Sequence, residues 1–210
     1  MKFTISRKIH KSFILSGIIG PILFFTLLTI LGLMWNSYNP ISTGMSEIGA
    51  VDSPFKNIMN YFGFSLLGFF IGIFSIGFKI YFKKNLQLTI AFILLIIGGI
   101  FMFLVGFFPC DPQCIDVSIT GKIHSLTSTI PAILIPAAAM LSAYPISRFW
   151  GNKWGYMSLF LGVLSLASGP IMFIEVLTSY SGLIQRLGFA LSLLWIFIIS
   201  LKIYREIPIY

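Results

Sequence analysis

Six stretches of about 20 apolar residues, separated by short charged or Pro/Gly-bearing links, occupy nearly all of this 210-residue chain. A helix of that length crosses the ~30 Å hydrocarbon core of a bilayer. Hydrocarbon offers no water to backbone amides, so such spans fold as helices rather than open strands. The stretches are Phe13–Met34, Ile58–Phe78, Leu88–Phe108, Ser125–Ile146, Met157–Leu177 and Leu183–Leu201. The chain is 57% hydrophobic and 10% charged, with mean hydropathy +0.96, which leaves too little polar surface to coat a water-soluble globule. The expectation is an all-α polytopic membrane protein: one domain over residues 1–210, built as a bundle of six transmembrane helices. Lys2, Arg7, Lys8 and Lys11 precede the first stretch, as they would a secretion signal. Its length, and the lack of a small-x-small cleavage pattern after Met34, predict a retained signal anchor instead.

Orientation follows from Lys and Arg, because basic short loops resist translocation. The four N-terminal cations, Lys79, Lys83 and Lys84 after the second stretch, Arg148 and Lys153 after the fourth, and Lys202 and Arg205 after the sixth fall on one side. The other side receives only Lys56, Lys122 and Arg186, yet holds Glu47, Asp52, Asp111, Asp116 and Glu175, five of the six acids. Both termini are therefore expected to be cytoplasmic. The net charge of +8 is accounted for by this asymmetry and by anionic lipid headgroups, so no nucleic-acid partner is expected. Two long links, Trp35–Asn57 and Pro109–His124, lie on the outer side, where function is first sought.

Lipid tails are as apolar as leucine, so helices associate through small residues that let backbones approach. Gly68 and Gly72 stand at GxxxG spacing, and Ser158, Gly162, Ser165 and Gly169 form a second small-residue stripe. Both predict packed faces. Pro131, Pro136 and Pro170 remove backbone donors and predict bends, between which a cavity can open.

Charge in the membrane is costly alone, which singles out a few residues. Glu175 and Arg186 flank a tight link between antiparallel helices at similar depth, predicting an ion pair; the alternative gives Arg186 an anion-binding role. Asp111 and His124 bracket the link between the third and fourth stretches. A carboxylate beside an imidazole is the minimum for acid/base catalysis, and the plainer reading is that both lock the loop. Cys110 and Cys114, the only cysteines, lie in an outer CDPQC loop where the compartment favours oxidation, so a disulfide is expected. With only His10 and His124 in the chain no multi-histidine metal site can form, and neither metal nor cofactor is expected, although a mixed His, Asp and Cys set is chemically allowed.

Several short segments carry a resemblance. They are Tyr38-Asn39-Pro40 leading to Met45-Ser46-Glu47-Ile48-Gly49-Ala50, Asn60-Tyr61-Phe62-Gly63, Gly106-Phe107-Phe108-Pro109-Cys110-Asp111, Lys122-Ile123-His124 and Gly182-Leu183-Ile184-Gln185-Arg186-Leu187. In this order between six spans the chain resembles the prokaryotic membrane proteins grouped as domain of unknown function 998. Those are distantly similar to the Frag1/DRAM/Sfk1 group. The resemblance implies a multi-pass protein of a prokaryotic cell membrane and points to Ser46, Glu47, Asp111, His124, Glu175 and Arg186; it carries no established reaction. A looser analogy to ceramidase-like hydrolases lacks their HxxxH.

The leading expectation is a polar pocket near the outer leaflet, lined by Asp111, His124, Glu175 and Arg186 and capped by the Trp35–Asn57 loop. Ser46 and Glu47 lie on that cap, and the pocket would bind a membrane lipid or amphiphile. Alternatives are an intramembrane hydrolase or transferase using His124 and Asp111, and a non-catalytic subunit docked on another protein or on a second copy.

Overall fold

A computed structural model describes residues 6–82, 84–172 and 174–208; Lys2 and Lys83, two cations of the charge argument, lie outside the described residues. Six long helices carry the six apolar stretches: α1 (Arg7–Met34), α2 (Lys56–Tyr81), α3 (Leu86–Val105), α4 (Ile119–Trp150), α5 (Asn152–Ile171) and α6 (Ser181–Glu206). Each is long and apolar enough to cross a membrane. Side chains start three of them by satisfying a free amide of the first turn: Ser6 accepts from Ile9, Asn85 from Leu88 and Ser118 from Gly121. Gly151 alone joins α4 to α5, at φ 98°, a conformation that costs a glycine little and other residues much.

Two boundaries depart from the sequence reading. The fourth helix is one continuous element across Pro131, Pro136 and Pro145 and extends beyond Ser125–Ile146 at both ends. The fifth stops at Ile171, short of Leu177, and a separate 3-10 helix, Glu175–Tyr180, follows. Pro170, one residue before that end, leaves the Leu166 carbonyl without its usual donor, and the Met172 amide closes the turn on Ser168 and Gly169.

Each helix packs against the next, and α6 packs back on α1, so the bundle is a closed up-and-down ring. Its interior is filled by Phe24, Phe74, Phe78 and Trp195, all essentially inaccessible. At the terminal end Lys11 lies 4.7 Å over the Tyr204 ring, joining the start of α1 to the close of α6. Glu206, the sixth acid, accepts from Tyr81 and Trp150 and pairs with Lys202 at 2.7 Å, so one carboxylate ties together α2, α4 and α6.

Glycine sets the closest approaches. A methyl group on Gly68 would meet the α3 backbone at Gly99 and Phe103, so α2 and α3 touch main chain to main chain there; Gly72 faces open space. On α5, Gly155 lies against Ala143 and Ser147 of α4, and Gly162 against Pro136 and Met140. Gly169, next on the same stripe, meets no described residue within 4 Å. Thus α4 and α5 are pressed together near Gly151 and part toward the opposite end, the end that carries the long links.

Candidate functional site

The first long link is folded down onto α6. Its centre is a 3-10 helix, Met45–Gly49, with Met45, Ile48 and Gly49 buried, and Glu47 accepts from the Gly44 amide at 2.9 Å. Burial holds the Glu47 carboxyl above its ordinary value; the Gly44 bond opposes this and nearby Asp52 adds to it. Arg186 fastens the link: its Nη1 donates to the carbonyls of Pro40, Thr43 and Gly182, each at 2.8 Å, and its guanidinium lies 5.3 Å over the Tyr38 ring. Gln185 accepts the Met45 amide, and Ser181 and Leu183 donate to Ser42 and Ile41. The expected ion pair of Arg186 with Glu175 is not formed. Glu175 is exposed on the 3-10 helix after α5, and no ion pair within 4 Å joins the two. The guanidinium is held instead through Nη1 by three backbone carbonyls, while its buried Nη2 has no hydrogen-bond partner among the described residues.

The second long link carries the disulfide between Cys110 and Cys114, with Cα atoms 4.9 Å apart. Gln113 and Cys114 both have positive φ, 56° and 51°, which turns the chain tightly between the two sulfurs. Asp111 sits inside this turn, 8% exposed, accepting from the amides of Val117 and Ser118 and from the Ser118 hydroxyl. These bonds, chiefly those from Ser118, hold its carboxyl below the ordinary value of 3.8. His124, 2% exposed on α4, bonds through Nδ1 to the Phe108 carbonyl at 2.7 Å. The expected pairing of Asp111 with His124 is therefore replaced by two separate anchors, because backbone groups of the loop lie nearer each side chain. One ring nitrogen of His124 lies instead within 4.8 Å of both cysteine sulfurs.

The Asp111 anchor has a definite pH dependence. A carboxylate whose folded value is depressed contributes fully above its unfolded value, and the contribution is lost as pH falls through the folded one. The amides of Val117 and Ser118 are thus expected to stay protected down to the ordinary carboxylate range and to open only below it. In Asp111→Asn they should exchange about tenfold or more faster at neutral pH, since the charge-assisted bonds are gone. Hydrogen exchange read by mass spectrometry on the loop peptide checks this.

Beneath these two links a cavity of about 660 Å³ runs between α3, α4, α5 and α6. Met45 and Ser46 roof it, and Gln185, Ser128, Ser165 and Gly169 are among its walls. Thr129, Ala132, Ile133, Gly169 and Pro170 line it and are exposed, so it opens sideways between α4 and α5, where the glycine stripe loses contact. Two of its wall residues, Ala132 and Leu166, stand four positions before Pro136 and Pro170. Their carbonyls lack the usual helical donor and remain acceptors. Ser46 is the one candidate from the sequence that lines this space. Glu47, Asp111, His124, Glu175 and Arg186 do not, so the expected charged pocket is a neutral one. Sequence reasoning missed Gln185, Ser128, Thr129 and Ser168, although a run of hydroxyls at the start of α4 was a legible signal.

Among curated proteins and solved structures, no match was found. A family profile described as "Protein of unknown function (DUF998)" matches residues 18–202, spanning all six helices. The chain belongs to the DUF998 family.

Proposed function

We propose that the protein binds a neutral amphiphile, a lipid with an uncharged hydroxyl-bearing head, in the cavity between α3, α4, α5 and α6. The observation that carries this reading is the sideways opening between α4 and α5 of a 660 Å³ space, a size typical of small-molecule sites. Its mouth is lined by residues of two spanning helices, so a guest enters from the bilayer. The walls are mostly apolar, suited to an acyl or isoprenoid chain. Their polar groups are uncharged: serine hydroxyls, the amide of Gln185 and the carbonyls left free by Pro136 and Pro170. Such a set rewards a hydroxyl, which can donate to a carbonyl and accept from an amide, and leaves an anionic head without a counter-ion. By the positive-inside pattern the roofed end faces away from the cytoplasm, placing the guest in the outer leaflet of a cell membrane.

Gly169 supplies the test. No described residue lies within 4 Å of a methyl group built there and Gly169 lines the cavity, so Gly169→Leu adds its bulk at the cavity wall, and it replaces glycine with a better helix former. Native mass spectrometry of gently extracted protein is expected to show a neutral lipid adduct, retained in Gly169→Ala and reduced at least tenfold in Gly169→Leu at unchanged melting temperature. An unliganded wild-type protein, or an adduct that survives the leucine, overturns the proposal.

A further inference from the structure

We infer that Cys110, Cys114 and His124 form a latent binding site for a thiophilic d10 cation such as zinc, opened when the disulfide is reduced. The two sulfurs and one His124 ring nitrogen already lie within 4.8 Å of one another. At ordinary zinc bond lengths, ligand atoms of a tetrahedral site sit about 3.5 to 4 Å apart, so separating the sulfurs after reduction needs little movement of the chain.

The imidazole is arranged as a metal ligand would be. Its Nδ1 faces the Phe108 carbonyl at 2.7 Å, and a carbonyl oxygen only accepts, so Nδ1 carries the hydrogen and Nε2 keeps its lone pair. That Nε2 is buried and has no hydrogen-bond partner among the described residues. A buried imidazole nitrogen without a partner is costly, and nothing in the loop-locking role of His124 requires it. Metal-bound histidines characteristically donate their other N–H to a carbonyl or carboxylate, the arrangement Phe108 provides. Asp111 is already engaged by Val117 and Ser118, so the protein supplies three ligands and leaves a fourth position for solvent or another ligand.

Opening the site requires two electrons from a dithiol. Its thiolate attacks Cys114, the less buried of the pair, since Cys110 is fully enclosed. The Cys110–Cys114 bond breaks, a mixed disulfide forms, and the second thiol of the reductant resolves it. The dithiol ends as a disulfide, and its two protons reside on the protein sulfurs. Zinc then binds both sulfurs as thiolates, releasing those protons to solvent, and takes the Nε2 lone pair.

The inference is independent of the cavity and is tested on the full chain in detergent. Protein reduced with a dithiol and desalted under argon with zinc is expected to retain about one zinc per chain, at least tenfold more than oxidised protein carried through the same steps. Cobalt in place of zinc should give a thiolate charge-transfer band only after reduction. His124→Ala and Cys114→Ser should each lower retention tenfold or more. Asp116→Asn, which changes a neighbouring exposed acid bonded to Ser125, should not. Should His124→Ala fail to fold, Cys114→Ser decides. Equal zinc in reduced and oxidised protein, or retention unchanged in either ligand variant, overturns the inference.

Discussion

Gly68→Ala is expected to cost about 3 kcal/mol or more of stability, a large effect for one methyl group. The added carbon would stand 2.6 Å from the Gly99 carbonyl oxygen and 2.7 Å from the Phe103 Cα, both main-chain atoms of α3. A side chain in the way can rotate; a helix backbone cannot, so α2 and α3 would have to separate along their contact. That would also strain the Ser65 hydroxyl bond to the Phe103 carbonyl, 2.8 Å long, which joins the same two helices. Gly72→Ala, one helical turn along, is the control: its methyl meets nothing within 4 Å, so the better helix propensity of alanine should leave stability unchanged or raise it by up to about 1 kcal/mol. Melting of the purified variants in one detergent separates the two outcomes. Equal melting temperatures for both would mean that the main-chain contact is not a determinant of the fold.

Arg186→Ala should release the first long link from the bundle. The Pro40 and Thr43 carbonyls of the link lose a charged donor at once, and with charge-assisted bonds of this kind the expected cost is about 3 kcal/mol. The effect should be local before it is global, because α6 itself keeps its helical ladder. Limited proteolysis between Trp35 and Asn57 is expected to accelerate at least tenfold, with a smaller drop in overall melting temperature. Arg186→Lys should recover part of the protection, since an ammonium can also donate to more than one carbonyl from a single nitrogen, although it cannot stack on Tyr38 as a guanidinium does. Wild-type protease resistance in the alanine variant would show that Gln185, Ser181 and Leu183 suffice to hold the link.

The contrast between Gly68 and Gly72 shows how far the sequence was legible. Spacing identified a small-residue face on α2, and both glycines do lie against Gly99, but not which of them has its Cβ position blocked by the α3 backbone, because that depends on the rise and tilt of the partner. Apolar run length located all six helices, since lipid imposes it. It overran the fifth, because Phe173, Val176 and Leu177 continue the apolar composition past the point where Pro170 ends the ladder. The cost of buried charge drew attention to Asp111, His124 and Arg186. It did not reveal their partners, for each is satisfied by backbone groups of folded loops, and a carbonyl leaves no mark in a sequence. The neutral cavity was the least legible feature: its position arises from the divergence of α4 and α5, and serines in an apolar helix read as packing residues.

Because α6 returns to α1 and the charged side chain of Lys11 reaches Tyr204, the first and last helices stand side by side with their ends at one edge. The connection at Gly151 lies at that same edge and comprises a single residue. Joining the two ends by a flexible peptide and cutting the chain at Gly151 would therefore preserve every neighbour in the ring while changing the order in which helices leave the ribosome. A circularly permuted chain of this kind separates what the finished architecture demands from what sequential insertion demands.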